Sequence, residues 1–205
     1  MTASDRQAPQ FLPPAEVTDA ARARFDEDIE EMGFVMNVSR LWAYQPEALS
    51  GLFGLMAGVA AARPFTVRER GILVTASAAA RGDSYCSLAW GTKLAEAAGA
   101  PVAAGILRGE DSGLSVAEQA MATWARRLAC DPSGIGPGDV QALREAGFTD
   151  ADIFAMTVFV AFRIAFATVN DALGARPDAQ YATLAPPAVR AAVTFGRPID
   201  ARQPE

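Results

Sequence analysis

The chain is 205 residues long, 51% of them hydrophobic, with a formal charge of −6. That length suits one domain with a full core. The acidic balance excludes a nucleic-acid footprint, since no basic cluster is denser than Arg68-Glu69-Arg70. Histidine is absent, so Ser-His-Asp catalysis is excluded, and two non-adjacent cysteines argue against a disulfide scaffold.

Abundant Ala and short β-branched runs point to an all-α domain. Residues 1–17 are polar and Pro-rich and predict an arm, ahead of a single domain over residues 18–205. The opening MTASDRQAPQF lacks the apolar run of a signal peptide. With two unpaired cysteines, this sets the expectation of a reducing, cytoplasmic location. Asp19 to Met32 then reads as a helix with its acids on a solvated face. Asn37 and Val38 lead into a helix holding Leu41, Trp42 and Tyr44. Pro46 suits a first helical position, and Leu49, Leu52, Phe53 and Met56 follow at core spacing. Thr66 and Glu69 form an S/T-x-x-E capping box, a simpler role for Glu69 than catalysis.

Residues 67–100, VRERGILVTASAAARGDSYCSLAWGTKLAEAAGA, organise the rest. They predict two helices joined at Arg81-Gly82-Asp83, with Gly82 as a stop and Asp83 as the N-cap of the second. Cys86 then falls in the first turn, and Cys86, Trp90 and Lys93 share one face. The unpaired N–H groups and positive dipole end of that turn favour a thiolate, whereas a carboxylate at Asp83 opposes it. Packing as a small buried residue accounts for Cys86 equally well. Trp90 is accounted for by the core and Lys93 by solvent.

Residues 100–113 read as a loop with one helical turn at 102–107. Ser115 and Glu118 open a helix ending at Cys130, with Met121, Trp124 and Leu128 on its apolar stripe. Residues 131–137 are a loop, whose GIGPG is punctuation rather than a phosphate-binding motif. A short helix over 140–146 closes at Gly147, and Thr149 caps a long apolar helix ending near Gly174. Residues 153–169 are almost wholly apolar but carry Arg163, and they fall short of the roughly 20 residues a membrane span needs. A helix buried in an oligomer, with no membrane partner, is the expectation. A charge there needs a partner, either an ion pair across an interface or a substrate. A last short helix is expected within 187–194. The sum is a compact bundle of about seven to nine helices, with no metal site and no cofactor expected.

The central segment resembles the alkylhydroperoxidase D-like (AhpD-like) and carboxymuconolactone decarboxylase superfamily, closest to its peroxidase-related branch. That family shows an Arg-Glu pair, about a dozen residues, then C-x-x-C-x-x-x-H and an Ala/Gly-rich tail. Here Cys86 stands at the second cysteine, preceded by Tyr85, and LAEAAGA matches the tail. LREAGFTDADIF (143–154), FATVNDALG (166–174), VTFGRPI (193–199) and MGFVMNVSRLWAYQPEAL (32–49) extend the resemblance to roughly residues 25–200. Four positions depart from it. Asp83 replaces the first cysteine, Trp90 the motif histidine, Gly71 the motif glutamate and Ala167 an asparagine. The family's redox members cycle a cysteine pair through a disulfide while Glu and His relay protons. Of those four groups only Cys86 remains.

The resemblance implies a homo-oligomer, trimer or hexamer. It also implies a small-molecule cleft at the start of the Cys86 helix, gathering Asp83, Tyr85, Cys86 and Trp90, with Arg163 on the later long helix. Three functions follow. One is a single-cysteine peroxidase-related oxidoreductase in which a hydroperoxide oxidises Cys86 and an external thiol reduces it. Another is a non-redox decarboxylase, lyase or isomerase with Asp83 as acid or base and Tyr85 or Arg163 steadying an enolate or carboxylate. The third is a non-catalytic ligand-binding or scaffold protein.

Overall fold

The computed structural model describes residues 10–201, and the first nine residues of the expected arm lie outside them. Among the described residues there is no strand and there are eleven α-helices, eight of them of seven residues or more. In chain order they are α1 (Asp19–Met32), α2 (Asn37–Trp42), α3 (Pro46–Ala62), α4 (Val67–Arg81), α5 (Ser84–Ala98) and α6 (Ala100–Leu107). Then come α7 (Val116–Cys130), α8 (Pro137–Glu145), α9 (Asp150–Ala172), α10 (Tyr181–Leu184) and α11 (Pro187–Ala192). The all-α expectation holds.

The helix starts follow from side-chain caps. Thr66, Ser115 and Thr149 each accept from the backbone N–H three residues on, while Glu69, Glu118 and Asp152 reach back. Glu69 also pairs with Arg63 at 2.8 Å, so its role is to fix the entry of α4. Gly82 ends α4 at φ 73°, and Asp83 starts α5 one residue later.

Four segments differ from the sequence pattern: Tyr44 lies beyond the end of α2, α8 begins at Pro137 rather than at 140, and residues 100–107 and 181–184 are helical. Residues 100–107 form an eight-residue helix, not a loop with one turn. APVAAGIL is apolar on nearly every face and so shows no periodicity, yet Ala103, Ala104 and Ile106 are wholly buried. The four-residue α10 was too short to leave a pattern.

The core is built around α4, where Ile72, Leu73 and Ala76 are fully buried, with α5, α6, α7 and α9 packed about it. α4 and α5 cross closely at Gly71, where a Cβ would stand 3.0 Å from Leu94 Cβ and Cδ1. The position where the resembled family carries its glutamate is thus filled by a neighbour's leucine. α9 is long and apolar enough to cross a membrane by length and composition, and nine of its residues are buried within the bundle.

Candidate active site

Asp83 is the N-cap of α5 as its position predicts. Its Oδ1 accepts from the Cys86 N–H at 2.9 Å. The same turn is tied down at Ser84, whose Oγ donates to Arg197 O at 2.8 Å and accepts from Arg197 N–H at 2.9 Å. That tail passes so close that a Cβ on Gly196 would stand 2.5 Å from Gly82 O, and φ there is +70°. Tyr85 is buried, and its hydroxyl donates to Asp178 Oδ2. Asp178 Oδ1 also accepts from Asn37 N–H at 2.6 Å. Burial pushes the Asp178 carboxyl up to about 6, against the pull of the Tyr85 and Asn37 donors. Tyr85 therefore locks the first turn of α5 to the start of α2 and to the loop before α10.

Arg163 reaches the same place from α9. It is nine-tenths buried, and its Nη2 donates to Cys86 Sγ at 3.5 Å. Its guanidinium carbon lies 5.1 Å from the Phe166 ring centroid and 5.4 Å from that of Trp90. Its Nε is buried without a partner, as is Asp83 Oδ2. Among the described residues Arg163 forms no ion pair, and the nearby negative group is Asp83.

Cys86, Tyr85, Trp90 and Arg163 line one cavity of about 250 Å³, together with Lys93 and Phe53. Asp83 does not line it. Asp83 instead lines a smaller crevice of about 10 Å³ with Ser77 and Arg81, and Cys86 and Arg163 line that crevice as well. Cys130 lies elsewhere, exposed at the end of α7 with its Sγ 3.5 Å from Ala80 O.

The competition at Cys86 is decided by depth. Burial pushes the thiol well above its ordinary range, Asp83 pushes it further, and Arg163 pulls it back. Burial also raises the Asp83 carboxyl, which the Cys86 N–H and Arg163 draw back down. Burial and Asp83 thus favour the neutral thiol, and the Arg163 guanidinium favours the thiolate.

Several cavity residues were beyond sequence reasoning. Phe166 could have been found, since it lies three residues from Arg163 on one helical face. Met36 and Tyr181 could not, because they stand in a loop and a four-residue helix. No group of three or more Cys, Asp and Glu side chains suited to a metal ion occurs among the described residues.

The all-helical order of α1 to α11 is that of an AhpD-like, peroxidase-related fold. No protein-family model matches the chain, and no curated protein matches it. Solved structures do. A peroxidase-related protein from Ralstonia eutropha JMP134, described as an alkylhydroperoxidase AhpD core, is similar at TM-score 0.75 and 25% identity, over 85% of this chain and 95% of that one. A peroxidase-related protein from Silicibacter sp. TM1040 is similar at TM-score 0.76 and 21% identity, over 89% and 98%. The debrominase Bmp8, as a cysteine-to-alanine variant with 2,3,4-tribromopyrrole, is similar at TM-score 0.65 and 15% identity, over 88% and 94%. The last two likenesses speak for the fold alone.

Proposed function

We propose that the chain is a single-cysteine, peroxidase-related enzyme in which Cys86 reduces an organic hydroperoxide. The observation that carries this reading is Cys86 in the cavity wall, its Sγ 3.5 Å from Arg163 Nη2 and its backbone N–H bonded to the Asp83 carboxyl. The sulfur attacks the outer peroxide oxygen, so an S–O bond forms as the O–O bond breaks. The thiol proton passes to Asp83, which returns it to solvent through the small crevice. The departing alkoxide forms beside Arg163 and takes a proton from water. The products are a sulfenic acid at Cys86 and an alcohol. An external thiol then reduces the sulfenic acid through a mixed disulfide, releasing water, and a second thiol restores Cys86. Cys130 is not called on.

The reading with Asp83 acting directly on substrate is less well supported, because Asp83 is not among the residues that line the cavity. The test is consumption of cumene hydroperoxide with dithiothreitol as reductant. Cys86→Ser should abolish it and Cys130→Ser should leave it intact. Equal consumption by the Cys86→Ser protein would sink the proposal.

We further propose that the enzyme works as a homo-oligomer, a trimer or hexamer, in the reducing cytoplasm where such thiols are at hand. Support comes from α3, where Leu55 is 57% exposed and open glycines stand at Gly51, Gly54 and Gly58, and from Phe154 of α9, 72% exposed.

A further inference from the structure

Cys86, Trp90 and Lys93 climb one face of α5, and about 10 Å of helix axis separates the first from the last. Cys86 and Arg163 are buried, whereas Lys93 is exposed at the other end of the cavity lining. Lys93 Nζ and the Arg163 guanidinium carbon each lie 5.4 Å from the Trp90 ring centroid. The indole thus holds two cations by its quadrupole, one at the floor and one at the mouth. Neither cation forms an ion pair among the described residues. The third lining cation, Arg24, is already taken up by Glu27 and Asp28, and Glu31 is the one acid among the described lining residues. Met32, Leu49, Phe53 and Phe166 give the wall between the ends its apolar character. The cavity of about 250 Å³ equals about eight waters at roughly 30 Å³ each, so it takes a body of roughly ten non-hydrogen atoms.

From this arrangement we infer that the cavity takes an apolar monocarboxylic acid, its carboxylate on Lys93 and its other end at Arg163 and Cys86. This rests on the peroxidase reading above and names its substrate class, a hydroperoxide borne by such an acid. The apolar wall buries the body, Lys93 selects the charge, and Arg163 is left free for the reacting oxygen.

The probes are cinnamate and its neutral isostere cinnamamide, titrated calorimetrically into Cys86→Ser protein, so that binding is read without turnover. Cinnamate should bind about fivefold or more tightly than the amide, the scale of one partly exposed ion pair. In the Cys86→Ser, Lys93→Met protein that preference should vanish while the amide binds as before. Lys93 is exposed, so the substitution leaves the core untouched. Equal affinities for acid and amide, a preference that survives Lys93→Met, or binding of neither probe at millimolar concentration would each overturn the inference. Because these outcomes are independent of peroxide consumption, failure here and failure of the peroxidase reading are told apart.

Discussion

Replacing Arg163 by Met keeps much of the side-chain volume and removes the guanidinium beside Cys86. At 3.5 Å and an effective dielectric near 20, a unit charge is worth about 5 kcal/mol to a thiolate. The Asp83 carboxyl, drawn upward once Arg163 is gone, offsets part of that loss. The expected net effect is a further rise in the Cys86 thiol pKa. The assay is the pH dependence of iodoacetamide alkylation, followed by intact mass in a Cys130→Ser background, because Cys130 is exposed and would react first. At a fixed pH below both thiol values, the Arg163→Met protein should alkylate about ten- to a thousandfold more slowly. Arg163→Lys should recover part of the rate. Superimposable pH profiles for wild type and Arg163→Met would refute the electrostatic role.

Restoring the resembled family's glutamate by Gly71→Glu should destabilise the fold by about 3 kcal/mol or more, since it overpacks against Leu94 and buries a charge. A melting temperature equal to wild type would show that the α4–α5 crossing yields. Asp178 is raised from an ordinary 3.8 to about 6. A raised acid contributes stability below pH 3.8 that is lost as pH climbs through about 6. By linkage this amounts to about 3 kcal/mol at most. Urea melts from pH 3 to 7 should therefore show wild type losing stability relative to Asp178→Asn across that window, and a constant difference between them would count against it. Leu55→Asp should reduce the mass measured by light scattering to that of one chain, and an unchanged assembly would place the interface elsewhere.

The helices were legible where the chain carries its own stops and starts. Thr66, Gly82, Asp83, Ser115 and Thr149 mark ends by local chemistry, and the observed bounds fall on them. α6 was not legible because burial on nearly all sides erases the period that distinguishes a helix from an apolar loop. Within the site, the shared face of Cys86, Trp90 and Lys93 follows from helical spacing, and Arg163 stands out as a charge in an apolar run. What spacing cannot give is depth. The thiol is buried because α9 and the 193–200 tail close over the first turn of α5, and those contacts are more than 75 residues distant in sequence. The same limit hid Asp178, the acceptor for Tyr85 from a loop without periodicity.

The peroxidase proposal requires Cys86 to react with hydroperoxide despite its burial and the lost relay. The most direct test is intact-mass analysis after a brief hydroperoxide pulse with a sulfenic-acid trap, comparing wild type with Cys86→Ser. Rapid, stoichiometric trapping at Cys86, and none in the variant, is the expected result. Labelling no faster than that of a free thiol in solution would contradict it and return attention to Asp83 and the ligand cavity.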